Sequence, residues 1–500
     1  MEKKLQELKK ILGRVSDLSH ASSLLGWDQQ TYMPRGGAQA RGYQLGTLNS
    51  LAHEIFTSSE VGSLLEDLES EAADLDPDSD QARLIQVTRR EYDKATRVPA
   101  DYVEEFSRVT SNAHGAWEEA REQDDFPHFQ PHLERIVEMR REYAEFFAPY
   151  EHIYDPLLDD FEPGMKTSAV QSIFNHLRQT QVDLLQRISE QPQVDDSFLH
   201  QAFEGEKQWA FGESVITEYG YDWNRGRQDK AAHPFTTSFS INDVRITTRV
   251  DPEFLNTALF GTLHEGGHAI YEQGVSTDLE RTPLAGGTSL AIHESQSRMY
   301  ENLLGRSYAF WDYFYPKLQD TFPTQLGNVD LDAFYRGINK VEPSLIRVEA
   351  DEATYNLHVM LRLELEIALM EGDLQVDDLP GAWDERMMDY LGIAPPNDAD
   401  GVLQDVHWSS GIFGYFPTYS LGNLVSAQLW EVMQEDFPDL DDEIRSGEFS
   451  NLLAWLRENV HRHGAKFKPQ ELVKRVTGSK ITPEPYLRYL TGKFEDIYGL

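Results

Sequence analysis

From the N-terminus, apolar residues recur at Leu5, Leu8, Ile11, Leu12, Val15 and Leu18 with lysine and glutamate among the residues between them. That three-and-four spacing lays one apolar stripe along a helix. The same period predicts helices over 2–26, 37–56, 80–97, 100–122, 127–147, 167–190 and 198–219, parted by short breaks such as Pro34-Arg35-Gly36-Gly37 and Asp155-Pro156. The acidic run from Glu66 to Asp80 reads as a solvated helix end and loop. Alternation of period two is confined to one region. Phe235, Thr237, Phe239 and Ile241 alternate with polar residues, Asn242-Asp243 offers a turn, and Val244, Ile246, Thr248 and Val250 alternate again, which predicts a β-hairpin. Further helices are expected at 251–274, 290–304, 308–318, 330–338 and 345–371, and amphipathic patterning returns from Leu424 to Leu500. The fold class is therefore all-α, mainly helical, with one small hairpin or sheet, and no internal repeat or long low-complexity linker divides it.

The stretch Asp251 to Gly274 carries His264, Glu265 and His268. Asp251 suits an N-cap, Pro252 the first helical position, and Gly274 a glycine just past the helix end. Histidines four apart project from one helix face, one turn above the other, so both imidazoles can reach one ion. Glu265 is offset around the helix, where it can face a water on that ion without being a ligand; this is the HExxH arrangement of zinc peptidases. Gly266 and Gly267 together cost a helix about 1.5–2 kcal/mol relative to alanine. Their presence implies close approach of another backbone or a ligand. Glu294 falls 26 residues beyond His268, on a helix that Ser289 can cap. A helix-loop-helix of that length can return a carboxylate to the imidazoles and leave a fourth position for water. Arg298, one turn on, can orient Glu294 or form a plain surface ion pair. The hairpin ends beside Asp251 and so lies near the start of this helix, where an edge strand can hold an extended peptide or serve structure alone. The run Phe413-Gly414-Tyr415-Phe416-Pro417-Thr418-Tyr419 can pack a core or line a cleft.

Six short patterns follow one another along the chain: His233-Pro234-Phe235 (HPF), Asp243 to Thr247 (DxRxT), the HExxH at 264–268, His293-Glu294-Ser295-Gln296 (HES/GQ), Ile346 to Asp351 (IRxxAD) and Gly401 to Trp408 (GxxQDxHW). With Leu25 to Pro34 beside them, the chain resembles the Taq-type metallocarboxypeptidases, peptidase family M32, over nearly its whole length. The resemblance implies a gluzincin-type enzyme with two helical halves around a deep substrate groove and a small sheet beside the metal. It implies one catalytic unit over 1–500, with 1–230 a helical half, 233–250 the hairpin, 251–420 the helices of the metal and substrate site, and 421–500 C-terminal helices. It also implies a homodimer that removes single residues from peptide C-termini with broad side-chain preference. On that reading His264, His268 and Glu294 hold zinc, or cobalt or manganese in its place, and Glu265 is the general base. By resemblance Tyr419, or else Tyr415, donates to the oxyanion, and His233 and His407 are further donors. An exopeptidase needs a cation on the substrate's terminal carboxylate. Arg347 is the first candidate and Arg245 the second, although a structural ion pair would explain either. Two rival classes remain: a helical zinc oligopeptidase or dipeptidyl carboxypeptidase, which lacks the HPF, DxRxT and QDxHW set, and a non-catalytic metal-containing scaffold, against which Glu265 speaks.

Composition narrows the partners. Formal net charge is −40, from 85 acidic and 45 basic residues, which argues against nucleic acid and anionic membranes; the peptide substrates are what the resemblance implies. Cysteine is absent, so disulfides, thiolate ligands and a cysteine nucleophile are excluded and a metal must use histidine and carboxylate. Met1-Glu2-Lys3-Lys4-Leu5 leads into an amphipathic pattern, and no run of about 18 apolar residues occurs; a cytoplasmic location is expected. Of the 45 basic residues, about 15 are lysine. Excess acid with little lysine fits an ordinary acidic enzyme or a protein of salt-rich cytoplasm, where counter-ions screen self-repulsion. A KCl titration separates the two: a saline protein gains activity as KCl rises to molar levels, whereas flat or falling activity assigns the ordinary case.

Overall fold

The computed structural model describes residues 1–500. Helices dominate it, and one three-stranded sheet interrupts them. The chain forms two compact units, each assembled from three stretches: Met1–Thr96, Asp196–Ile338 and Leu429–Gly478 make the first, and Arg97–Asp195, Asn339–Gln428 and Ser479–Leu500 the second.

In the first unit the N-terminal stripe is buried as its period requires. Leu5, Leu8, Ile11 and Leu12 of helix Glu2–Thr31 pack with Val61, Leu65 and Leu68 of helix Ser59–Glu71 and with Leu84 and Ile85 of helix Asp80–Arg97. Ile241, Val275 and Leu279 join the same cluster. Full burial of such a side chain contributes about 1.5–3 kcal/mol, so this core fastens both the hairpin tip and the end of the HExxH helix.

The sheet contains strands β1 (Gly226–Lys230), β2 (Thr236–Ser240) and β3 (Asp243–Thr248), in the order β1-β3-β2. β2 and β3 are the expected hairpin, with Thr236 opposite Ile246 and a register shift between Ser238 and Ser240. β1 was not expected. It runs parallel to β3, from Gly226 opposite Val244 to Lys230 opposite Thr248, and its buried positions are Gln228 and Asp229. Asp229 accepts from Arg227 Nε at 2.6 Å and from the Tyr32 hydroxyl, so polar pairing replaces the apolar alternation that would have revealed it. β2 is thereby one edge of the sheet, and β3, the central strand, packs on the HExxH helix.

That helix spans Leu255–Gly274 and not 251–274. Asp251 spends its side chain on an Asx turn to the Glu253 amide at 2.8 Å, while its carbonyl accepts from Gln208 Nε2 at 2.7 Å. The capping role expected of Asp251 is thus displaced. Gly274 is the last helical residue and not a left-handed terminator; a Cβ there would lie 2.5 Å from His461 Nδ1, so its absent side chain serves a close contact. The two mid-helix glycines have the steric reason their sequence implies. A Cβ on Gly267 would sit 2.7 Å from both Gln296 O and Ser297 Cα, and one on Gly266 would sit 2.8 Å from Ile216 Cγ2. Ser289 caps helix Leu290–Arg298 by accepting from the Ile292 amide at 3.2 Å, and the chain then widens into a π-helical turn over Met299–Leu304.

In the second unit the helix expected over 345–371 begins only at Tyr355 and ends at Glu371. Before it lies a 3-10 turn, Arg347–Glu349, and then Asp351, whose Oδ1 accepts from the Ala353 and Thr354 amides at 2.9 and 3.1 Å. Those bonds divert the backbone from continuous helix. No helix of the chain is long and apolar enough to cross a membrane.

The contact at Gly267 is backbone on backbone, whereas Gly266 meets a side chain that can give. We therefore expect Gly267→Ala to destabilise by about 1–3 kcal/mol and to lower the melting midpoint more than Gly266→Ala; an equal effect of the two would refute this account of the helix contact.

Candidate functional site

The first unit brings three sequence-predicted residues together. His264 and His268 stand one turn apart with ring centroids 4.9 Å apart and nearly perpendicular. Their Nε2 atoms lie 3.6 and 3.4 Å from Glu294 Oε2, and one ligand atom from each residue falls within 4.8 Å of the others. Two imidazole nitrogens and a carboxylate oxygen at this spacing fit a divalent ion with a further coordination position. The electrostatics fit as well. Burial pulls His264 down, yet the charges of Glu294 and Glu301 overcome it and raise its pKa to about 9. Burial also pushes the Glu294 carboxyl up, but Arg298 and His264 hold it well below the usual carboxylate range.

The outer nitrogens are held too. His264 Nδ1 is 2.8 Å from Glu301 Oε2, and Glu301 lies on the π-helical turn, accepting from Arg298 Nη1 at 3.2 Å. Burial opposes ionisation of Glu301, but Arg298 and His264 bring it down to about 2. Arg298 Nε also donates to Glu294 Oε1 at 2.7 Å, so one guanidinium orients both Glu294 and Glu301, the partner of His264. His268 Nδ1 lies 2.5 Å from His293 Nδ1, whose Nε2 lies 2.7 Å from Glu272 Oε1.

Glu265 is buried, with Oε2 accepting from the Thr236 hydroxyl at 2.6 Å. Burial, first, and the nearby Glu294 charge raise its pKa, the direction that brings a carboxylate toward the working range of a general base. Thr236 opens β2, so the edge strand holds this carboxylate directly.

In the second unit Arg347 is buried. Its Nη2 donates to Asp405 Oδ1 at 2.9 Å, Nε is 3.3 Å from the same oxygen, Nη1 donates to the Tyr355 hydroxyl at 2.9 Å, and its amide donates to Gln404 Oε1 at 2.9 Å. The IRxxAD and QDxHW segments are thus two halves of one construction. Asp405 Oδ2 also lies 3.8 Å from Arg362 Nη1. Arg362 in turn donates to Glu366 at 3.1 Å and stacks 3.4 Å from the Trp408 ring centroid. The aromatic run packs around these cations: Arg347 lies 5.1 Å from the Tyr419 ring and 5.2 Å from that of Phe416. The Tyr419 hydroxyl donates to that of Tyr415 at 3.3 Å, and burial holds the Tyr419 phenol well above its ordinary pKa. His407 stacks on Tyr415 at 5.4 Å, and burial lowers it to about 3.

Two candidates are placed differently. Arg245 is forked onto Asp243 at 2.9 Å through both Nε and Nη2, with Trp27 and Phe239 rings 4.6 and 4.9 Å away, the environment of a structural ion pair. His233 is exposed on the loop ahead of β2. Residues not anticipated are Thr236, Glu272, Glu301, Asp405 as the Arg347 partner, Tyr355, Arg362 and Glu366. Glu272 and Glu301 had a signal, since one continues the 264–268 spacing by a turn and the other lies two turns past Glu294.

The comparisons with known proteins agree with this geometry. A sequence profile of the carboxypeptidase Taq (M32) metallopeptidase family matches residues 7–494. Thermostable carboxypeptidase 1 of Thermus thermophilus is 43% identical over 492 residues, covering 96% of each chain. Carboxypeptidase 1 of Bacillus subtilis is 40% identical over 491 residues, 98% of each. The crystal structure of the M32 carboxypeptidase from Deinococcus radiodurans R1 superposes with a TM-score of 0.97 at 44% identity, covering 100% of both chains. With two histidines and a glutamate converging as a metal donor set and likeness running from end to end, the chain belongs to the carboxypeptidase Taq (M32) family of metallopeptidases.

Proposed function

We propose that this metallocarboxypeptidase uses zinc to hydrolyse peptides one residue at a time from the C-terminus, with broad side-chain tolerance. The observation that carries the reading is the convergence of His264, His268 and Glu294 beside the buried Glu265 in a chain that matches the family throughout. Membership implies a divalent metal; the nitrogen-and-carboxylate donor set favours zinc while also accommodating cobalt or manganese. The whole chain is taken as one catalytic unit, working as a homodimer in the cytoplasm on peptides. Its net charge of −40 speaks against nucleic acid.

His264, His268 and Glu294 would hold the ion, which would supply Lewis acidity toward a carbonyl and water when bound. Glu265 takes the proton from the attacking water and passes it to the leaving amine, with Thr236 fixing the carboxylate's orientation. Tyr419, its phenol kept protonated by burial, is the donor proposed for the oxyanion, with Tyr415, His407 and His233 as further polar groups toward substrate. Arg347 is proposed to bind the terminal carboxylate. A guanidinium has five N–H donors; Asp405 and Tyr355 engage Nε, one Nη2 hydrogen and one Nη1 hydrogen. One N–H remains on each terminal nitrogen, donors that a substrate carboxylate can accept. Arg245, paired with Asp243 through Nε and Nη2 and set between the Trp27 and Phe239 rings, is the second candidate.

Glu265→Gln is expected to keep its metal and lose turnover by about 10²–10⁴-fold; metal-replete protein with a near wild-type rate rejects Glu265 as the base. Arg347→Ala should raise KM for free-acid peptides by about 10–100-fold, the worth of a charge-assisted hydrogen bond, and change little for C-terminally amidated ones. Steady-state kinetics on matched peptide pairs checks this, and equal effects on both would move the carboxylate role elsewhere.

A further inference from the structure

His293 stands beside a proposed metal ligand without being one, and its neighbours leave it little room to turn. A Cβ on Gly287 would lie 2.8 Å from His293 Cδ2 and 3.1 Å from Tyr271 Cε1. The Tyr271 ring centroid is 5.3 Å from that of His293 and the His268 ring 4.5 Å. Gly287 therefore lets the chain close over the imidazole, and the ring is clamped between two aromatic neighbours and a backbone turn.

We propose that His293 is a positioning residue that orients His268 for metal binding, with Glu272 as its anchor. This rests on the reading that His264, His268 and Glu294 hold the metal. His268 turns Nε2 toward Glu294 at 3.4 Å and Nδ1 toward His293 at 2.5 Å. When Nε2 offers its lone pair to an ion, the ring proton of His268 resides on Nδ1. His293 Nδ1 must then accept that proton's hydrogen bond, so the proton of neutral His293 resides on Nε2 and is donated to Glu272 Oε1, 2.7 Å away. With both imidazoles neutral, one arrangement of protons satisfies the chain. It runs from carboxylate through imidazole to ligand.

The two histidine ligands are thus held by different means. His264 meets its carboxylate, Glu301, directly at 2.8 Å. His268 meets Glu272 through an intervening ring, because Glu272 lies one turn further along its own helix while His293 comes from the crossing helix Leu290–Arg298. The far end of the relay is also fixed: the Ser238 hydroxyl of β2 donates to Glu272 Oε2 at 3.4 Å, and Glu272 is buried. Partners of this kind that orient a metal-binding histidine change metal affinity by about 10–100-fold when removed.

The test uses the full-length protein and three variants: His293→Leu, which removes both ring nitrogens; His293→Gln, which retains an acceptor and a donor; and Glu272→Gln, which weakens the anchor. Zinc affinity is measured by competition with a chromogenic chelator, the ligand field from the visible absorption of cobalt-loaded protein, and kcat and KM separately. His293→Leu should bind zinc about 10–100-fold more weakly, shift the cobalt bands and lower kcat with little change in KM. His293→Gln should recover most of the affinity and Glu272→Gln should fall between them. Wild-type zinc affinity with unchanged cobalt bands in His293→Leu overturns the proposal while leaving the metal site standing. If His293→Leu does not fold, Glu272→Gln decides by the same two readouts, and unchanged values overturn the relay. Wild-type protein that takes up no zinc overturns the metal reading itself, an outcome visible before any variant is made.

Discussion

The HExxH helix and the helix that supplies Glu294 meet backbone to backbone at Gly267, where a side chain would strike Gln296 O and Ser297 Cα. Helices packed through ordinary side chains stay 8–10 Å apart. A glutamate reaches its own carboxylate only a few ångströms from its backbone, so a wider separation would leave Glu294 short of both imidazoles. Gly267 thus converts a favourable sequence spacing into the convergence of His264, His268 and Glu294. The same crossing carries His293 onto the far side of His268 and lets Gln296 Oε1 sit 2.9 Å from buried His461 Nε2. The helix propensity surrendered at two glycines, about 1.5–2 kcal/mol, is modest beside the loss of a buried metal site.

Around this crossing, buried charge is apportioned residue by residue. Glu294 and Glu301 share Arg298, Glu265 has Thr236, and Glu272 has Ser238 and His293. The second unit follows a similar rule with the signs reversed, since Arg347 and Arg362 there lie against Asp405 and Glu366 and among aromatic rings. Arg362 is fully buried, yet its Nη atoms make no hydrogen bond and rest on the Trp408 face instead, an environment suited to a weakly hydrated guanidinium and not to lysine. Removing one member of such a network leaves an uncompensated charge in a poorly polarisable interior. These clusters are therefore structural commitments as well as chemical ones.

Much of this is legible in the amino-acid sequence. Helix periodicity locates most of the elements, and the convergence of His264, His268 and Glu294 follows from helical spacing plus the reach of a helix-loop-helix. The misreadings have physical causes. The sequence predicts a helix over 345–371 because Ile346 and Val348 look like the upstream end of an apolar stripe, yet Val348 is 70% exposed and Asp351 takes the amides that helix would use. β1 carries no alternation because its two buried positions, Gln228 and Asp229, are both polar, Asp229 being paired with Arg227. The partnership of His268 with His293 depends on the angle at which two helices cross, which no one-dimensional period encodes. Arg347 ranks ahead of Arg245 as sequence, but no spacing encodes their neighbours: both pair with an aspartate through Nε and Nη2, and Arg347 also donates to Tyr355.

Thr236 and Ser238 lie two residues apart on β2, on one face of the strand, and each grips a different glutamate of the HExxH helix: Glu265 and, two turns later, Glu272. The strand therefore works as a ruler laid along the helix, with its marks at the proposed proton acceptor and at the foot of the His268 support. Sliding it by a single residue would turn both hydroxyls to the opposite side. Such a slip would disarm proton transfer and loosen an imidazole in one movement, without altering any residue that touches the ion. The register of a short edge strand is in this sense part of the catalyst, and the shift between Ser238 and Ser240, followed by the buried tip residue Ile241, opposes that slip.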